Sequence, residues 1–283
     1  MTFEKKHILL GGSIVLLAAI AFGSFVFLSA PESRVAAPVE VVTIPQSPTP
    51  TPTLEPTTEP IATEIESIKE DIPAPRLAPA LDESDAEIIS DFQLLPQATE
   101  AISLIDKNEI ARKMVRAIYG LSEGKIIKEF RPIKSPEGIF LAKKIGRQTE
   151  DNQQEMYRIS RENHERYSRY ISAFSFINDS LLIDFYHFYS PVLEKSYNEL
   201  GVGSGNFHDT LIKAVDIILD APQEDTAILL VQPSVMYKYH DAEMEKLPNV
   251  YKLMLRMGPE NSEALKLELK KFRLNLLQQK SKA

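Results

Sequence analysis

The 283-residue chain contains no cysteine, which excludes a disulfide framework, a thiolate zinc site, iron–sulfur ligation and a lipid-modified cysteine anchor. Stability must come from packing. An excess of base is missing too: 40 acids against 32 bases give a formal charge of −8, so the chain has no global basic footprint and nucleic acid is not expected as a partner. The five histidines, His7, His164, His187, His208 and His240, form no H-E-x-x-H or H-x-H pattern, so no metal is expected. No serine stands in a G-x-S-x-G elbow, and no glycine run ends in the G-K-[ST] of a phosphate loop, so no cofactor and no catalytic residue is assigned. What remains is 43% apolar and 8% aromatic content, enough for a real core.

The first feature present is an uncharged run of 23 residues, "ILLGGSIVLLAAIAFGSFVFLSA" at 8–30. As a helix it covers roughly 34 Å and spans a bilayer. Lys5 and Lys6 precede it, so the positive-inside tendency puts residues 1–7 in the cytoplasm and the rest outside. A cleaved signal peptide is the competing reading, but the run exceeds a typical signal core and Leu28-Ser29-Ala30 is followed by Pro31. Residues 31–80 hold 11 of the 19 prolines with eight acids and three bases. Such a Pro/Thr-rich acidic segment cannot bury a core and is expected to be a disordered linker, partly in extended polyproline geometry. A proline-rich ligand for an aromatic groove is its functional alternative.

From residue 81 to 283 the composition is that of a folded domain. Ser84 and Glu87 have capping-box spacing ahead of Ile88, Ile89 and Phe92. Ile110, Met114, Ala117, Ile118 and Leu121 predict a helix over Lys107–Leu121. Between 125 and 159 three short pieces, "KIIKEF", "GIFLAKKI" and "MYRIS", read as a minor β element. In Ser180–Leu200 nearly every position is apolar or aromatic except Asp184, His187, Glu194, Lys195 and Asn198, which with Pro191 make one narrow stripe, as expected of a central helix. Leu211, Ala214, Val215 and Ile218 mark the buried side of the next helix. "AILLVQP" then precedes two closing helices that meet at "LRMGPEN", where Gly258 suits a left-handed cap and Pro259 a first turn. The fold class is mainly α: a single N-terminal transmembrane helix, a Pro-rich linker, and a mostly helical C-terminal domain with a minor β element.

Several blocks in fixed order, "LDESD" (81–85), "RYSRY" (166–170), "YNELG" (197–201) with "NFHD" after it, "QPSVMYKY" (232–239) and "LRMGPEN" (255–261), closely resemble the bacterial DUF3014 family. The resemblance covers roughly Pro79 to Leu277. It implies anchoring and envelope location but no chemistry, because the family is one of unknown function.

Three local features invite a functional reading. "YNELGVGSGNFHD" spaces glycines as G-x-G-x-G after a helix, where a dinucleotide fingerprint needs G-x-G-x-x-G after a strand. Asn206 capping a helix that Asp209 favours explains the stretch as a turn. Asp184 and His187 stand one turn apart and could pair, but a solvated stripe explains them. "NHERYSRYISAFSF" concentrates Arg166, Tyr167, Arg169 and Tyr170, residue types enriched at interface hot spots. With Asn206, Arg256 and Asn261 from the neighbouring blocks they form the candidate partner or ligand surface.

The leading expectation is a non-catalytic interaction or scaffold protein of the bacterial inner membrane, single-pass, with its helical domain in the periplasm and an envelope protein as partner. The alternative is a domain that binds or hydrolyses a cell-wall or lipid ligand with carboxylates.

Overall fold

The computed structural model describes residues 76–94, 98–147, 154–175, 179–223 and 228–280. The expected anchor at 8–30 and the linker as far as residue 75 lie outside the described residues. Among the described residues no helix is long and apolar enough to cross a membrane. The chain is mainly helical with a small antiparallel sheet in its C-terminal region.

A 3-10 turn at Leu81–Glu83 leads into α1 (Ser84–Gln93), then α2 (Ala98–Leu104) and α3 (Ile110–Ser122). The expected capping box does not form. The Ser84 hydroxyl instead turns back and donates at 2.8 Å to the carbonyl of buried Leu81, which also accepts the Ser84 N–H. The N-cap is Glu83, with no side-chain bond. Helix α3 starts at Ile110, three residues later than its apolar spacing suggests, because Glu109 takes a left-handed φ of 51°. Asp85, from α1, accepts the N–H groups of Glu109 at 2.6 Å and Ile110 at 2.7 Å. A carboxylate from another helix thus serves as the cap.

Strands β1 (Ala142–Arg147) and β2 (Glu155–Ile159) form an antiparallel pair with a bulge between Lys144 and Gly146. Helices α4 (Glu162–Ser175), α5 (Asp179–Glu199) and α6 (Phe207–Leu219) follow. The sheet then resumes: β3 (Leu229–Val231) pairs with β2 through Met156 and Val231, and β4 (Lys238–Tyr239) pairs with β3 through Leu230 and Tyr239. The stretch "KIIKEF" at 125–130 is irregular rather than a strand. A short α7 (Ala242–Lys246), α8 (Asn249–Met257) and α9 (Pro259–Lys280) close the chain.

Helix α3 packs on α5 and α6, and α9 crosses α4, α5 and α6. The apolar periodicities decide this. Met114, Ile118, Leu211, Val215, Leu265, Leu269 and Phe272 all enter one core, and burial of each such side chain stabilises by about 1.5–3 kcal/mol. The polar stripe of α5 behaves as its spacing predicts: Asp184, His187, Lys195 and Asn198 are exposed. Inside, Phe185 lies 4.2 Å from the ring of Tyr189, whose hydroxyl donates to buried Asp91 at 2.7 Å. A second, smaller cluster of Leu230, Tyr239 and Leu255 joins the sheet to α8.

Candidate functional site

The residues of "NHERYSRY" are spent first on holding α4 in place. Asn163 is buried and acts as a substitute strand: its amide accepts the N–H of Leu141 at 3.0 Å and donates to the carbonyls of Leu141 and Ser160. An amide can do this because it carries both a donor and an acceptor. One turn on, the Arg166 guanidinium donates to the carbonyls of Glu137 and Gly138 at 2.9 Å each and to Pro136 at 3.3 Å. Its planar fork of five donors suits several backbone oxygens at once.

The α8–α9 corner approaches α4 from the other side. Gly258 has φ 86° and ψ 159°, a region open essentially to glycine alone. The corner is therefore not the left-handed cap its sequence suggests, but a turn through extended glycine. The reason is proximity: a Cβ on Gly258 would stand 2.5 Å from the His164 imidazole. Asn261 rivets the contact, donating to the carbonyls of His164 and Met257, both at 2.8 Å, and accepting from Ser168 at 3.4 Å.

Between the two elements lies a cleft of about 450 Å3. One wall carries Arg161, His164, Glu165 and Ser168, and the other Gly258, Glu260 and Asn261. Arg161, Glu165 and Glu260 are exposed and His164 is half-buried. Burial draws the His164 imidazole below the ordinary histidine value of 6.5; Glu260 opposes this and Arg161 reinforces it. The ring is therefore neutral at neutral pH, a donor and an acceptor at once. Ser168 is hydrogen-bonded to Asn261 and to the His164 carbonyl, not to an imidazole nitrogen, so it has no base to activate it. Among the described residues no group of three or more His, Asp or Glu could hold a metal ion. Chemically, the cleft offers exposed charges of both signs beside a half-buried imidazole.

The seven sequence-derived candidates divide by burial. Arg169 and Asn206 are exposed and Arg166 is half-buried, whereas Tyr167, Tyr170, Arg256 and Asn261 are buried. Arg169 donates to Ser103 at 3.0 Å. The Tyr170 hydroxyl donates to the Lys134 carbonyl at 3.3 Å, and burial raises its pKa. Tyr167 is raised further by the same desolvation. Arg256 sits over the Tyr239 ring, 5.5 Å from its centroid, while Tyr239 donates to the Lys252 carbonyl at 3.1 Å. Helices α8 and α9 both pack on α4, which carries Tyr167 and Tyr170. Only Asn261 lines the cleft, and Asn206 belongs to a different part of the fold. Arg161, His164, Glu165 and Glu260 were not singled out from sequence. "NHER" and "MGPEN" display the residue types, but nothing local signals that positions 164 and 258 touch.

The glycine stretch forms a hard turn. Gly201 and Gly203 have φ of 64° and 105°. Asn206 accepts the Asp209 N–H at 2.8 Å, and the Glu194 carboxylate accepts the Phe207 N–H at 2.8 Å. An anion at this helix start would have to displace Glu194, so the loop is no phosphate cradle.

Taken together, these elements define a helical domain with a small antiparallel sheet and a polar cleft where two sequence blocks meet. The chain belongs to the family described as protein of unknown function (DUF3014), whose model matches residues 110–273. No curated protein and no solved structure matches it.

Proposed function

We propose that this is a membrane-tethered binding protein of the cell envelope, in which residues 8–30 anchor the chain, residues 31–80 give it reach, and the helical domain engages an envelope partner through the α4/α8–α9 cleft. The observation that carries the reading is the construction of that cleft. Its floor is fixed by Gly258, Asn261 and Asn163, while Arg161, Glu165 and Glu260 are exposed above it and make no hydrogen bond to another side chain among the described residues. Rigid floors beneath uncommitted charges favour a complementary surface over a turning-over substrate. A full-length chain carrying E165K and E260K is expected to lose its partner after reversible crosslinking in cells, while D184K on the exposed stripe of α5 retains it. Equal recovery with both variants would sink the reading. Location is tested separately: a phosphatase reporter that works only outside the cytoplasm should be active at the C-terminus, inactive at the N-terminus, and recovered with membranes.

Glu165 and Glu260 sharing one cleft with His164 favour a second reading, in which the domain binds or hydrolyses a cell-wall or lipid ligand. Hydrolysis by a carboxylate pair predicts turnover that E165Q or E260Q lowers by about 100-fold or more. Binding alone predicts no turnover to lose.

A further inference from the structure

The chain as a whole is acidic, with a formal charge of −8, yet Lys125, Lys128, Arg131 and Lys134 recur at every third position after α3. The fold gathers three of them. An isolated antiparallel bridge joins Ile105 to Ile133, with Asp106 N–H donating to Pro132 at 2.9 Å and Lys134 N–H to Leu104 at 2.7 Å. This clamp sets the loop between α2 and α3 against residues 128–135 and leaves a cleft of about 410 Å3 between them. Lys107 enters from one side, and Lys128, Arg131 and Lys134 from the other. Buried Ile105 and Ile133 also line it, giving it an apolar base.

Two acids also line the cleft, and they differ. Asp106 is already neutralised by Lys113, 2.6 Å away. Burial acts to raise its carboxyl, but the bonds from Lys113 and Asn108 outweigh burial and hold it below the usual aspartate value. Glu129 alone then opposes four bases. Lys107, Lys128 and Lys134 are exposed and make no side-chain hydrogen bond or ion pair among the described residues. Arg131 is half-buried and held in place, its Nε donating to the Lys128 carbonyl at 2.6 Å and its Nη1 to Ser135 Oγ. A positioned guanidinium ringed by exposed ammonium groups suits an oxyanion bearing more than one charge.

We propose that this cleft binds a phosphate-bearing anion, either a free phosphate compound or the headgroup of an acidic phospholipid. The site is separate from the α4/α8–α9 cleft and does not depend on that cleft's role. Phosphate oxygens bridge Lys107, Lys128 and Lys134 while Arg131 fixes the orientation, and Ile105 and Ile133 accommodate whatever carbon the phosphate carries.

The test uses the full chain in uncharged detergent. Inorganic pyrophosphate, submicellar short-chain phosphatidylglycerol and, as a neutral control, short-chain phosphatidylcholine are titrated by calorimetry at low and moderate salt. Saturable, salt-sensitive binding of pyrophosphate or phosphatidylglycerol is expected, weakened about tenfold or more by K107E/K128E/K134E together. The milder K107Q/K128Q/K134Q should weaken it roughly threefold to tenfold, and K143E on β1 by less than about twofold. These side chains are exposed, so the fold should survive; an unchanged circular dichroism spectrum confirms that. Tighter binding of phosphatidylglycerol than of pyrophosphate identifies a headgroup site, and the reverse order identifies a free-phosphate site. Absence of saturable binding by the wild-type chain to either probe, or an equal loss with K143E, overturns the proposal.

Discussion

Replacing Gly258 by alanine isolates the joint that builds the α4/α8–α9 cleft. Two costs fall on the variant. The first is backbone strain, because φ 86° with ψ 159° is a conformation that costs an L-residue about 1–3 kcal/mol. The second is steric: the new Cβ would stand 2.5 Å from both Cγ and Nδ1 of His164, and overpacking of this kind costs about 1–3 kcal/mol more. Together they predict a loss of about 2–6 kcal/mol, a large share of the stability of an ordinary domain. The assay is urea denaturation of the full chain, read by far-ultraviolet circular dichroism, as a shift of midpoint at constant slope. The two costs are separable. Removing the imidazole in a H164A/G258A double variant should recover the steric part and leave the backbone part, so the two substitutions should be non-additive by about 1–3 kcal/mol. A G258A midpoint within about 0.5 kcal/mol of wild type would refute the contact, and strict additivity would refute its steric origin.

Other substitutions probe the remaining joints. Asp85→Ala removes the acceptor for the N–H groups of Glu109 and Ile110 and should cost about 1–2 kcal/mol in the same denaturation assay. Tyr189→Phe removes a 2.7 Å bond to the buried Asp91 carboxylate and should cost about 1–3 kcal/mol, with the fold intact by circular dichroism. The pH dependence follows from His164, whose folded pKa lies below its ordinary value of 6.5. The unfolded chain therefore takes up this proton first, so the His164 contribution is fully present above pH 6.5 and declines as pH falls toward the folded value. Urea midpoints measured across that window should fall more steeply for wild type than for H164Q.

The helical part of this fold was legible because its periods are long and clean. Leu211, Ala214, Val215 and Ile218 on α6, or Leu265, Leu269, Phe272 and Leu276 on α9, identify a buried face without help from any other segment, and all are buried. The Asn206 cap was equally local, as was the place of the Gly258–Pro259 corner, though not the extended conformation Gly258 takes there. What sequence could not supply is pairing across distance. Strand β3 is three residues long, too short to show an alternation, and its partner β2 lies three helices earlier. Asp85 caps a helix 25 residues away, and the Ser84 hydroxyl bonds back to Leu81 instead of capping α1. The cleft illustrates the same limit: Arg166, Tyr170, Arg256 and Asn261 stood out by residue type, yet each is committed to holding the walls. The exposed residues above them, Arg161, Glu165 and Glu260, are ordinary helix-surface charges until α8 and α9 bring the two walls together.

The central claim, that the α4/α8–α9 cleft is where this domain meets its partner, is tested most directly by photocrosslinking in living cells with a photoreactive residue placed singly at Glu165, Glu260 or, as a control, Asp184. The account predicts one discrete adduct shared by the two cleft positions and diminished when unlabelled wild-type chain is co-expressed, with none at Asp184. Adducts absent from both cleft positions, or formed equally at Asp184, would contradict it.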